Sequence, residues 1–291
     1  MSLEAPINRF EHREMIDRVH KGVKEKFDQD RINLEHFDLN SVTADLAYVK
    51  RMEEEFKIET DQALAESKKL ADILEFLIYF HGEQSSWLGG EDEGVETIAP
   101  SRFDDIKNGV DVLVDFGEEE GSLPQVAGLG VDATTSNNPD LLFGKLINIK
   151  KGIEIGEATE VKYFEDSNFK GSLKMVPRII VSADQATVIR LVKFLDQESG
   201  GNQALAEDKF QYQLLDQILR QCDLFAKLAD KHEQSEIARK YRFFANRLRP
   251  VFEQKMKEAQ EKGIFEVGGD SAHESLLAEL AVMDRELDKV E

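Results

Sequence analysis

Residues 101–136 read SRFDDIKNGVDVLVDFGEEEGSLPQVAGLGVDATTS, and they hold two short apolar runs that each carry an acid. In GVDVLVDF (109–116), Val110, Val112, Val114 and Phe116 alternate with Asp111, Leu113 and Asp115, the period-two pattern of a strand. VAGLGVDAT (126–134) is a second strand, softened by glycines, with Asp132 near its end. A carboxylate half-buried among Val and Leu loses hydration and needs a partner. Lys and Arg are scarce nearby, so a salt bridge would come from elsewhere in the chain, and a divalent cation shared by the two strands is the other economical partner. Mg²⁺ takes carboxylate and water oxygens. Asp115 is read as a strand-end acid that caps a turn or faces water before GEEEG.

The flanking sequence is mostly helical. RFEHREMIDRVHKGVKEKF sets Phe10, Met15, Ile16, Val19 and Val23 on one stripe, and Asn40 or Ser41 caps a helix through LAYVKRMEEEFK. TDQALAESKKLADILEFLIYF places Leu70, Ile73, Leu74, Leu77 and Ile78 at helical spacing, with His81-Gly82 as its stop. A Gly- and acid-rich loop, EQSSWLGGEDEGVE, precedes a short strand, VETIA. Beyond Asp132, NNPD turns into a helix, LLFGKLINIKKGIEIG. EVKYF and VPRIIVSA are strands, and Asp184 opens the helix QATVIRLVKFLDQ. ESGGNQ is a linker by composition. Two long helical patterns follow, the second bent at Pro250, then a last helix after Gly268-Gly269. The expectation is an α/β core with a mixed sheet at 63–197, an N-terminal helical extension at 1–62 and a C-terminal helical region at 203–291.

The 291 residues carry a formal net charge of -21 with 41% hydrophobic residues, enough apolar matter for a core. Residues 1–100 hold 12 basic and 23 acidic side chains. That balance disfavours tight non-specific binding to a polyanion, which relies on Lys and Arg, but allows a local basic groove. One cysteine, Cys222, rules out an intrachain disulfide framework. The six histidines show no zinc spacing, and GLG at 128–130 is no dinucleotide fingerprint. A charged N-terminus without a signal core, and no run of membrane-span length, lead to the expectation of a cytoplasmic protein with no membrane partner.

The order of elements around the two acids carries a resemblance. A helix bears Glu75, strands bear Asp111 and Asp132, a helix bears Lys145 and Lys150, and another strand follows. This order resembles the PD-(D/E)xK superfamily, the restriction-endonuclease-like nucleases, over about residues 70–196. SRFDDIKNGVDVLVDF, LGVDATTS and VPRIIVSAD also look like an uncharacterised set of bacterial proteins. The resemblance implies phosphodiester hydrolysis with Mg²⁺ or Mn²⁺. Asp111 matches its first acid, Asp132 its second, and Glu75 the acid of the preceding helix. The family's lysine belongs two residues after Asp132, where Thr134 stands. Some members place it on the following helix, which makes Lys145 and Lys150 the candidates. Lys145 is preferred if that helix starts near Pro139. Asp104 and Asp105 are alternative ligands, with ordinary turn chemistry before Asn108-Gly109 as their bland reading.

One basic segment, ARKYRFFANRLRP, sets Arg239, Arg242 and Arg249 on one side of a helix while Phe243 and Phe244 face inward. That side fits a phosphate backbone. Its bland reading is an amphipathic helix whose arginines pair with the acid surplus of residues 1–100. A function of a second class stays open: a catalytically silent nuclease fold acting as a protein-interaction module, its helical arms meeting a partner or a second copy.

Overall fold

The computed structural model describes residues 5–38, 40–57, 62–89, 95–118, 126–166, 169–197, 199–261, 263 and 269–289. The middle of the acid-rich loop (90–94), most of GEEEG, Glu198 of the linker and Gly268 lie outside the described residues. The elements run α1 (Ala5–Asp30), a 3₁₀ turn (Leu34–His36), α2 (Val42–Lys57), α3 (Gln62–Gln84), β1 (Glu96–Ile98) and α4 (Arg102–Asn108). Then come β2 (Val112–Glu118), β3 (Val126–Thr134), α5 (Pro139–Glu154), β4 (Thr159–Glu165), β5 (Lys170–Val176) and β6 (Arg178–Ser182). Five helices close the chain: α6 (Gln185–Leu195), α7 (Gly201–Ala206), α8 (Phe210–Lys231), α9 (Ser235–Glu261) and α10 (Ser271–Asp288).

The class is mixed α/β. One sheet has the order β1-β2-β3-β6, and β4-β5 form a separate two-stranded sheet. β1, β2 and β3 pair antiparallel in succession, whereas β3 and β6 pair parallel, with Asp132 beside Ile180. A parallel neighbour needs a crossover, and α5 with the β4-β5 hairpin supplies it. Pro139 fits the first position of α5, and the Asn138 side chain accepts the Asp140 N–H at 3.0 Å. Asp184 caps α6 by accepting the Thr187 N–H at 2.8 Å.

One apolar cluster draws on α1, α3, the four-stranded sheet, α5, α6, α8, α9 and α10. The cluster runs across residues 62 and 203. Trp87, fully buried, donates its indole N–H to the Leu205 carbonyl at 3.0 Å and stands edge-on to Phe210. The outer side of β6 is not left open. Gln221 accepts from Ile180 N–H (2.8 Å) and donates to its carbonyl (2.6 Å). Gln217 does the same for Ser182, at 2.7 and 2.8 Å. The Tyr241 hydroxyl accepts from Arg178 N–H and donates to its carbonyl. Three side chains from α8 and α9 thus replace a fifth strand. An open edge would expose unpaired backbone groups.

Several local readings are corrected. RFDDIKNG is the helix α4, capped by Ser101, whose side chain accepts the Asp104 N–H; it ends at Gly109 in the left-handed region at φ 64°. A Cβ on Gly109 would also meet an Arg178 guanidinium nitrogen at 2.7 Å. Because the chain bends there, β2 begins at Val112, and Val110 packs with Leu113 against the β4-β5 hairpin. Val112, Val114 and Phe116 face the large core instead. α3 runs through His81-Gly82 to Gln84. The linker reading at 198–203 gives way to α7, which starts at Gly201. Pro250 lies inside α9.

Candidate functional site

Asp111 sits one residue before β2, where its N–H donates to Val131 O at 2.9 Å and its carboxylate accepts the Ala133 N–H at 2.8 Å. Those two bonds pin the acid against the end of β3, beside Asp132. α3 packs on β2 and β3 and brings Glu75 to the same place. α4 brings Asp105. One carboxylate oxygen each from Glu75, Asp105 and Asp111 lies within 4.8 Å of the others, a grouping of a kind that could hold a metal ion. Asp111 and Asp132 are buried, and Glu75 and Asp105 are partly exposed.

The electrostatics are those of crowded like charges. Loss of water holds the Glu75 carboxyl well above its ordinary range, and Asp111, Asp105 and Asp72 push it further the same way, against Arg31. Asp111 is also held well above its ordinary range, first by burial, then by Asp132 and Asp105. Lys145 and the Ala133 N–H pull it back. Asp105 is fixed from outside: Arg31 reaches its Oδ2 at 2.9 Å and Arg102 at 2.5 Å.

The two lysines of α5 go to different places. Lys145, on the second turn of α5, forms an ion pair with Asp132 Oδ1. It thereby stands at the acids from the following helix, while Thr134 supplies no charge. Lys150 does not join them. Its ammonium faces Glu154 at 3.8 Å and lines a pocket with Leu224, Leu228 and His232.

Asp104 and Asp105, neighbours in the chain, part company in space. Asp104 is fully buried and accepts from Ser101 Oγ (2.6 Å), Asn108 Nδ2 (2.7 Å), Lys162 N–H (2.7 Å) and Tyr163 N–H (3.1 Å). It is an anchor between α4 and β4. Asp105 turns to the acid cluster, a role the sequence reading offered it only as an alternative. Asp115 does cap a turn, accepting Gly117 N–H at 2.9 Å, but it is buried rather than water-facing, and burial pushes it to about 6.

The basic segment lies on α9. Arg242 pairs with Asp230, and Arg249 with Asp223 at 2.8 Å, both acids on α8. Their partners are thus the next helix, not the acid surplus of residues 1–100. Arg239 is exposed on the same helix, Phe244 is buried, and Phe243 is partly buried against the core.

No family model matches the chain, and no curated protein and no solved structure matches it either. Among the described residues no helix is long and apolar enough to cross a membrane.

Proposed function

We propose that the chain is a metal-dependent, nuclease-like protein of the restriction-endonuclease-like type, acting on nucleic-acid phosphodiesters. One observation carries the reading: carboxylates of Glu75, Asp105 and Asp111 gather within reach of one ion, and Asp132, paired with Lys145, stands beside Asp111. With α4 and the β4-β5 hairpin set aside as insertions, the order α3, β1, β2, β3, α5, β6 agrees with the helix, three strands, helix and strand that the nuclease resemblance implies, which supports the reading. Hard carboxylate donors suit Mg²⁺ or Mn²⁺. Asp111, Asp132 and Glu75 would hold the ion, with Asp105 as a fourth acid. When bound, it supplies Lewis acidity and a water of lowered pKa.

The chain's own groups have distinct roles in this reading. Asp111 and Asp132 would supply carboxylate oxygens to the ion from the ends of β2 and β3. Glu75, from α3, would serve as the helper acid, a further carboxylate donor for the ion. Lys145 places an ammonium beside Asp132, where it neutralises a phosphate oxygen or orients the water. Arg31 and Arg102 position Asp105.

The test is direct. Purified protein is incubated with labelled DNA and RNA and Mn²⁺, beside Asp111→Ala, Asp132→Ala and Lys145→Ala proteins. Cleavage by the wild type, lost in both aspartate variants and lowered about 100-fold or more in Lys145→Ala, is expected. Mn²⁺ should also raise the melting temperature of the wild type but not of Asp132→Ala. Equal response of the two proteins removes the site.

A further inference from the structure

Beside the acid cluster, α1, α2 and α3 enclose a cleft of about 480 Å³. Its lining is continuous with the site. Arg102 lines it and also holds Asp105. Asp72 lines it too, one turn along α3 from Glu75, and its charge bears on that carboxyl.

The lining mixes charges, with Lys24, Lys68, Lys69 and Arg102 beside Asp28, Glu53 and Asp72. Within the acidic first 100 residues, Lys24, Lys68 and Lys69 gather here, joined by Arg102. Lys24 faces Asp28 at 3.3 Å, Lys69 faces Asp17 at 2.5 Å, and Arg102 faces Glu53 at 3.2 Å. The two lysine pairs lie at the accessible surface and are worth little, whereas Arg102 is held by both Glu53 and Asp105. Lys68 is different. It is exposed, it has no carboxylate partner among the described residues, and its ammonium lies 4.7 Å from the centre of the Phe56 ring. Phe56 and the 48%-exposed Leu64 give the cleft an apolar wall. A ring with cations around it is a platform for a base with its phosphates. A volume of this size suits one small-molecule-sized unit and does not admit a duplex.

We infer that this cleft seats one unpaired nucleotide of a single-stranded nucleic acid, its base on Phe56 and Leu64 and its phosphate on Lys68, so that the adjoining phosphodiester lies at the acid cluster. The inference rests on the nuclease-like reading for its reacting end, and on the cleft alone for its binding end.

The test measures fluorescence anisotropy of a labelled short single strand and of its blunt duplex, in Ca²⁺ and in EDTA. Wild type, Lys68→Glu, Phe56→Leu and Asp111→Ala are compared, each checked for folding by its melting curve. Expected are single-strand binding at least about tenfold tighter than duplex binding, an affinity loss of about tenfold in Lys68→Glu, and a several-fold loss in Phe56→Leu. Asp111→Ala should lose the metal-dependent melting shift and keep the strand in EDTA. Failure of the wild type to bind any strand, preference for the duplex, or unchanged affinity in both cleft variants overturns the inference. A free mononucleotide that competes as well as the strand does so too. If Lys68→Glu weakens binding while the wild type shows no metal-dependent melting shift, the acid-cluster reading fails and the cleft stands.

Discussion

Two regions of the four-stranded sheet bury polar groups, and they solve the problem in opposite ways. Along the outer side of β6, the Arg178, Ile180 and Ser182 backbone groups each meet a donor and an acceptor on Tyr241, Gln221 or Gln217. At the ends of β2 and β3, acids meet acids, and both Glu75 and Asp111 hold their protons more tightly than usual. A polar group buried for stability finds complementary partners. Like charges gathered at a site are more often there for a ligand or a reaction. The difference separates scaffold from candidate chemistry without reference to any relative.

The largest effect is expected on the scaffold side. Gln217→Leu with Gln221→Leu strips four backbone groups of their partners. At roughly 1–3 kcal/mol for each unsatisfied group, the pair should lose on the order of 4 kcal/mol or more in urea denaturation. The Mn²⁺ response, where present, should survive in whatever remains folded. A loss under about 1 kcal/mol would mean that water replaces the glutamines and that the edge is not sealed.

On the acid side the sign reverses. The folded-state values of Glu75 and Asp111 are raised, so the folded chain binds more protons than the unfolded one above the ordinary 4.5 and 3.8. Metal-free stability therefore falls as pH rises from the ordinary carboxylate range through the raised values. Glu75→Gln removes part of that slope. It should gain about 1 kcal/mol at mildly alkaline pH and nothing at acid pH, while losing metal response and activity. Melting curves across pH read this, and a variant less stable than wild type at alkaline pH contradicts it.

The smallest effect belongs to the basic segment. Arg242→Ala and Arg249→Ala each break an exposed pair with α8 and should change stability by about 0.5 kcal/mol or less. Nucleic-acid affinity should stay as in the wild type. A marked loss of affinity would give α9 the phosphate-tracking role that its sequence offered.

Much of this was legible in the sequence because strong periodicity is local. The two acid-bearing strands, the helix after NNPD and the α6 cap at Asp184 all follow from short windows. β5 was not legible: KGSLKMV carries two lysines and a glycine, as suits a partly exposed hairpin strand, and it breaks no pattern. α4 hid as a turn because it is only seven residues long, although Ser101 and Gly109 were its caps. Nothing in the sequence separates Asp104 from Asp105. Only the third dimension sends one to the backbone of β4 and the other to Glu75. The arginine partners were misjudged for a related reason, since overall charge says nothing about which helix lies next door.

The one tryptophan also has a consequence of its own. Trp87 follows α3, yet its indole reaches Leu205 at the end of α7 and rests on Phe210 at the start of α8. Light absorbed by this single ring therefore reports on the union of the two halves of the chain. Any state in which the last helices swing away wets the indole and shifts its emission to the red.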